Sequence, residues 1–215
     1  MAANGSPSSG KVISPSKLAH VVLRTPNFKA MTAFYKAFLG ARASFENDDM
    51  AFLSYDAEHH RIAIIAQPGC GPRVPDAAGL HHIAFTFDTL ADLVTAYQQR
   101  RAREILPLWC VNHGPTTSIY YQDPDGNHLE TQVDNFDDMA AGNAFVSGPQ
   151  FAENPIGVDF DPDELASRLR AGEPEAELKK RPDIGPRTAA DMPARFTAPP
   201  PPDIRESYEP VGVST

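Results

Sequence analysis

The chain has 215 residues, a formal net charge of −9, 21 prolines and two cysteines. That is room for one ordinary domain, or a smaller one with long tails, and an acidic chain without a basic patch is a poor partner for nucleic acid. No apolar run approaches the roughly 20 residues of a membrane span, no charged-then-apolar leader opens the chain, and Cys70 and Cys110 stand far apart outside any CxxC pattern, so reduced thiols in a cytoplasmic protein are expected.

Residues 1–15 carry scarcely an apolar side chain and read as a disordered lead-in. Lys17–Arg24 alternates and is rich in Val and Leu, which predicts a strand. Phe28–Leu39 places Met31, Phe34, Tyr35 and Phe38 at helical spacing, with Gly40 to end the helix. Strands follow near 41–47, 50–55 and 60–66, separated by turns at Asn47-Asp48-Asp49 and Ala57-Glu58. The stretch Leu18-Ala19-His20-Val21-Val22-Leu23 then returns 62 residues later as Leu80-His81-His82-Ile83-Ala84-Phe85. The match runs on without a gap, Phe28 falling on Leu90 and Tyr35 on Tyr97. The second unit therefore reads as a strand at 80–87, a helix at 90–99, and strands near 104–110, 116–122 and 127–133. Asp123-Pro124-Asp125-Gly126 is its strongest turn signal.

Each βαβββ unit, about 17–67 and 79–134, is too small to bury its own sheet. The expected α+β solution pairs them into one open, concave mixed sheet backed by helices, in a domain spanning 16–135. Residues 136–181 form an extension with a short helix, N-capped by Asp161, with Pro162 at its first position and Gly172 after its end. That helix is expected to wrap a neighbouring subunit in a homodimer or higher homo-oligomer. Twelve of the 21 prolines follow residue 148, and 182–215 is expected to be a flexible, Pro-rich tail.

A lone histidine in a strand is ordinarily structural. Here two, His20 and His82, occupy the same repeat position, and a carboxylate, Glu130, stands in matching strand phase. Alternation puts His20 with Val22 and Arg24, His82 with Ala84 and Thr86, and Glu130 with His128 and Gln132. His81 would then point to the helix side, and His128 is a competitor to Glu130 on the same face. Two histidines and one carboxylate with open positions make the facial triad of non-heme Fe(II) oxygenases.

At this point the chain resembles the vicinal-oxygen-chelate fold, and within it the type I extradiol catechol dioxygenases. The resemblance covers roughly residues 17–134 and is most specific in Ser118-Ile119-Tyr120-Tyr121-Gln122-Asp123-Pro124-Asp125-Gly126-Asn127-His128-Leu129-Glu130. It implies that Tyr120, ten residues before the ligand glutamate, hydrogen-bonds the substrate. It also implies an acid–base histidine in His59-His60-Arg61-Ile62, taken as His60. A second pocket histidine, His113, lies two residues closer to the tyrosine than the family's usual spacing. The implied reaction is O2-dependent opening of a catechol, biaryl or polycyclic diols included, beside its hydroxyls. Fe(II), with Mn(II) as the alternative metal, would be held by His20, His82 and Glu130. The runner-up is a glyoxalase-like isomerase or lyase, which would add a carboxylate ligand where Gln67 stands. A non-catalytic binding protein of the same fold is the third reading. All candidate catalytic residues lie between His20 and Glu130, so the tail is expected to matter less than the core.

Overall fold

The computed structural model describes residues 12–71, 73–74 and 77–196; most of the lead-in and the tail beyond 196 lie outside the described residues. The first unit runs β1 (Val21–Thr25), α1 (Phe28–Leu39), β2 (Arg42–Glu46), β3 (Met50–Ser54) and β4 (Ile62–Ala66). The second runs β5 (His82–Thr86), α2 (Leu90–Arg101), β6 (Trp109–Asn112), β7 (Thr116–Gln122) and β8 (His128–Asp134). Each unit pairs its first strand in parallel with its last, β1 with β4 and β5 with β8, and the remaining ladders are antiparallel.

The hydrogen-bond ladders form two sheets rather than one, ordered β1-β4-β3-β2 and β5-β8-β7-β6-β9. The ninth strand, β9 (Val158–Asp159), comes from the extension and pairs with β6. What joins the units is a shared core. Phe38 of α1 meets Phe85 and Tyr121 edge-on, at ring-centroid distances of 6.3 and 5.1 Å. Arg100, 3% exposed, donates to the Phe38 carbonyl at 2.8 Å and lies 4.0 Å over the Phe38 ring. The Asp123–Gly126 turn adds a polar stitch: Tyr35 donates to the Asp123 carboxylate at 3.0 Å, and the Asn27 amide to Asp125 at 2.7 Å.

The extension folds back on its own chain. It contains α3 (Met139–Val146), α4 (Pro149–Glu153), α5 (Pro162–Arg170) and α6 (Glu175–Leu178). Asp161 caps α5 through the Asp163 amide at 2.8 Å, as its sequence predicts. The helix packs on α2 of the same chain, where Tyr97 donates to Asp163 at 2.9 Å and Arg101 pairs with the same carboxylate. Burial, with the Asp163 carboxylate beside it, pushes the Tyr97 hydroxyl up to about 12. Glu175 of α6 accepts from the Leu90 and Ala91 amides, both at 3.0 Å, placing an anion where the dipole of α2 is positive.

Residues up to 196 also depart from the expectation of a flexible tail. Arg187 donates to the Gly157 carbonyl at 2.9 Å and to Asp159 at 3.0 Å. A capping box of Thr188 and Asp191 starts one 3-10 turn, Ala189–Asp191, and a second, Ala194–Phe196, delivers Phe196 to the second sheet, 2% exposed. Met192 and Phe196 are too sparse among prolines to form a periodic signal.

Candidate active site

Strand phase behaves as alternation requires. Val22 and Arg24 are exposed while Leu23 and Thr25 are buried, and Ala84 and Thr86 are exposed while Ile83 and Phe85 are buried; His20, also exposed, stands one residue before β1. The β5–β8 and β7–β8 registers set His82 against His128, Ala84 against Glu130, and Tyr120 against Glu130. On this face the His82 Nε2 stands 2.9 Å from the Glu130 Oε2. Glu130 is 5% exposed. Burial works to raise its carboxyl, but the hydrogen bonds from His82 and Ser118 and the nearby His82 and His113 charges outweigh that and hold it low. It is a buried anion that, among the described residues, no lysine or arginine pairs with.

Beside it runs a short polar chain. His113 Nδ1 lies 2.6 Å from the Ile156 carbonyl, and its Nε2 lies 2.9 Å from the Tyr120 hydroxyl. A carbonyl can only accept, so the Nδ1 carries a proton, and in the neutral ring the Nε2 accepts from Tyr120. Burial pushes His113 down, against the pull of Glu130, and so favours that neutral form. Burial also drives the Tyr120 hydroxyl far up, with the Glu130 charge and hydrogen bond adding to it, so Tyr120 remains a neutral phenol.

The other two predicted residues sit together in the first unit. The His20 and His60 rings are 4.3 Å apart, and His60 stacks on Phe52 at 4.6 Å and 18°. Burial lowers the His60 imidazole, helped by the charges of His20 and His59. Among the described residues, no hydrogen bond, ion pair or ring contact joins His20 or His60 to His82 or Glu130, and no three His, Cys, Asp or Glu groups stand ready to hold a metal ion. The structure thus brings the candidates together as two groups, His82–Glu130–Tyr120–His113 and His20–His60. The second-unit donors suit a cation: ligands about 2.1 Å from a metal and at right angles stand about 3 Å apart, close to the His82–Glu130 separation of 2.9 Å.

His81 differs from its expected side. Its ring lies 6.0 Å from His128 and 5.6 Å from Phe196, with its Nδ1 2.7 Å from that of His82. β5 begins at His82, so His81 precedes the pleat and alternation does not bind it. His128 is 5% exposed with neither ring nitrogen hydrogen-bonded among the described residues, and burial, with Arg73, His81 and His82 nearby, pushes it down to about 4. The sequence reading missed Trp109, Ile156 and Phe196. Trp109 faces Tyr120 across the β6–β7 ladder, with rings 5.3 Å apart and at 22°. Its place beside Tyr120 in that ladder was the available signal, and no sequence pattern marks the other two.

Two layered βαβββ units with a histidine–carboxylate pair on the inner face define a class. The model of the Glyoxalase/Bleomycin resistance protein/Dioxygenase superfamily matches residues 17–131, and the chain belongs to that superfamily. Within it, the chain is 46% identical over 159 residues to biphenyl-2,3-diol 1,2-dioxygenase 2 of Rhodococcus globerulus, covering 74% of this chain and 84% of that one. It is also 46% identical over 167 residues to biphenyl-2,3-diol 1,2-dioxygenase 3 of the same organism, covering 77% and 88%. Metapyrocatechase 2 of Cupriavidus necator is 27% identical over 148 residues, 66% of this chain and 43% of that one. No helix among the described residues is long and apolar enough to cross a membrane.

Proposed function

We propose that this protein is an extradiol dioxygenase that opens an aromatic diol, of the biphenyl-2,3-diol kind its relatives are named for, between a hydroxyl-bearing carbon and its unhydroxylated neighbour. The observation that carries the reading is the buried Glu130, paired with a half-buried His82 and set directly against Tyr120 and His113. His82 and Glu130 are two of the metal donors, and His20, their repeat partner in the first unit, is the third. Fe(II), or Mn(II) in its place, supplies when bound a centre at which a diol and O2 meet and exchange electrons.

The remaining work belongs to the chain. Tyr120, kept un-ionised by burial, has one hydroxyl proton, which rests on His113 Nε2 and turns to a diol oxygen when substrate binds, while the Ile156 carbonyl holds the His113 ring in place. The relay stays neutral, so charge developing on the substrate is met by hydrogen bonds. His60, against His20 and flat on Phe52, is the proton carrier from the first unit. The substrate, the metal and O2 are the expected partners, in a homo-oligomer.

Protein reconstituted with Fe(II) should consume one O2 per biphenyl-2,3-diol or catechol and give a yellow ring-opened product. Isomerisation of a glutathione hemithioacetal without O2 uptake would overturn the reading. Metal analysis of His82→Ala and Glu130→Ala should show sharp loss of bound metal in a folded chain. Full retention in His82→Ala would remove His82 from the ligand set.

A further inference from the structure

The two halves of the candidate site stand on sheet faces that point away from each other. Leu23 and Ile64 of the first sheet are buried in one core with Ile83 and Phe85 of the second, and Phe34 and Phe38 of α1 lie among them. Alternation sends the neighbouring positions to the opposite faces, with His20, Val22 and Phe52 on the first sheet and His82, Tyr120 and Glu130 on the second. A single concave sheet within one chain would run β2-β3-β4-β1-β5-β8-β7-β6. The helix α1, which packs on β3 and β4, would then lie four strand spacings, roughly 19 Å, from β7. Phe38 instead meets the Tyr121 ring of β7 at 5.1 Å, so α1 lies between the two sheets.

Each face has what the other lacks. On the first sheet Val22 and Phe45 are 48% and 47% exposed, and His20 and Arg24 stand exposed on the same side. On the second, the buried Glu130 anion has His82 beside it and, among the described residues, no lysine or arginine. β1 and β5 each end a sheet, so the strands that carry the two histidines both keep an edge unpaired among the described residues.

We propose that the metal site is completed between two copies of this chain, with His82 and Glu130 coming from one copy and His20, with His60 beside it, from the other. This sharing rests on the ligand set of the dioxygenase reading and adds which chain supplies each ligand. Each copy offers both faces, so a two-fold dimer holds two equivalent sites. The contact covers the apolar side chains of the first sheet and brings a cationic face to the Glu130 anion. The single concave sheet that the repeat predicts then forms across the interface rather than within the chain.

The test pairs two full-length variants, His20→Ala and His82→Ala, each carrying a different affinity tag. Either variant alone should lose bound Fe(II) or Mn(II). In a mixed dimer purified through both tags, one site lacks both histidines and the other has all three ligands. The mixed dimer should therefore regain metal to about half of the content of the unaltered protein, with about half of its O2 uptake on biphenyl-2,3-diol. If the ligands came from one chain, no site in the mixture would be whole, and a mixed dimer without metal would overturn the proposal. Full metal retention in His20→Ala would overturn it too. Size-exclusion chromatography with metal analysis gives a check that needs no substitution: metal should elute with the dimer, and a metal-loaded monomer of the unaltered chain would also overturn the sharing. If the mixed dimer regains metal while even the unaltered protein consumes no O2 with either diol, the dioxygenase reading fails and the shared site stands.

Discussion

Tyr120 has neighbours that all oppose its ionisation: an apolar burial, the Glu130 carboxylate, and a His113 that is itself kept neutral. In the proposed reaction its use is as a hydrogen-bond donor aimed at developing charge, and removing such a donor ordinarily costs about 10²–10³ in kcat. Tyr120→Phe should lower kcat by that order while the metal content is unchanged, measured by O2 uptake and metal analysis on one preparation. A loss of metal in step with activity would make Tyr120 a support for Glu130 instead. Asp123 offers a second residue-scale test. Burial pushes its carboxyl up to about 6, against hydrogen bonds from Asn127 and Tyr35 that favour the anion. Between the unfolded value of about 3.9 and the folded value of about 6, the folded chain keeps a proton that the unfolded chain has released. Asp123 therefore lowers stability progressively as pH rises through that window. Carboxyl NMR should find it titrating near 6, and Tyr35→Phe, which deletes a donor to the anion, should move the titration higher. A shift in the other direction would contradict the Tyr35–Asp123 hydrogen bond.

At the scale of elements, the periodic segments were legible and the imposed ones were not. α1 covers the predicted Phe28–Leu39, because its apolar residues, its preceding Pro26 and its terminal Gly40 all agree. Strand bounds in both units fall within a few residues of those expected, since alternation marks them directly, except β6, expected near 104–110 and found at Trp109–Asn112. β9 is two residues long and exists because β6 offers it an edge, so nothing in its own sequence announces it. The same contact explains a glycine. Gly157 has φ +103°, and a Cβ there would lie 2.3 Å from the Asn112 carbonyl oxygen and 2.7 Å from the His113 Cα, both backbone atoms that cannot step aside. Gly157→Ala must push the extension off β6, and the neighbouring Ile156 carbonyl leaves His113 with it. The expected result is a stability loss of about 1–3 kcal/mol by urea unfolding, together with a change in the His113 ring signals on NMR. An unaltered His113 in a destabilised chain would separate the clash from the relay.

Over the whole molecule the two units have diverged from their common plan. The candidate-site residues were readable because the repeat superposes His20 on His82 and the Tyr120–Glu130 spacing is local, whereas the extension's contribution depends on contacts between residues far apart in sequence, 43 positions for His113 and Ile156 and 85 for Leu90 and Glu175. The inner face of the second unit is backed and enclosed by residues 154–196, while β2 in the first unit stays exposed along its length. Arg181, from beyond α6, donates to the His113 and Asn154 carbonyls at 3.1 and 2.7 Å, so even the loop carrying His113 is held from the extension. Two deletions should therefore have different consequences. A chain ending at 185 keeps α5, α6 and Arg181 but loses Arg187, Met192 and Phe196, and it should fold with a red-shifted Trp109 emission as that ring meets water. A chain ending at 140 also loses Leu165 and Leu178, 7% and 8% exposed, at about 1.5–3 kcal/mol each. That sum is a large share of the roughly 5–15 kcal/mol by which a domain is stable, and it comes with an uncovered face of α2. The shorter chain should be aggregated or partly unfolded by circular dichroism and size-exclusion chromatography. If it were monomeric, cooperative in unfolding and still able to bind metal, the extension would be a cover laid on a self-sufficient core, and its hold on His113 would have to be judged from activity alone.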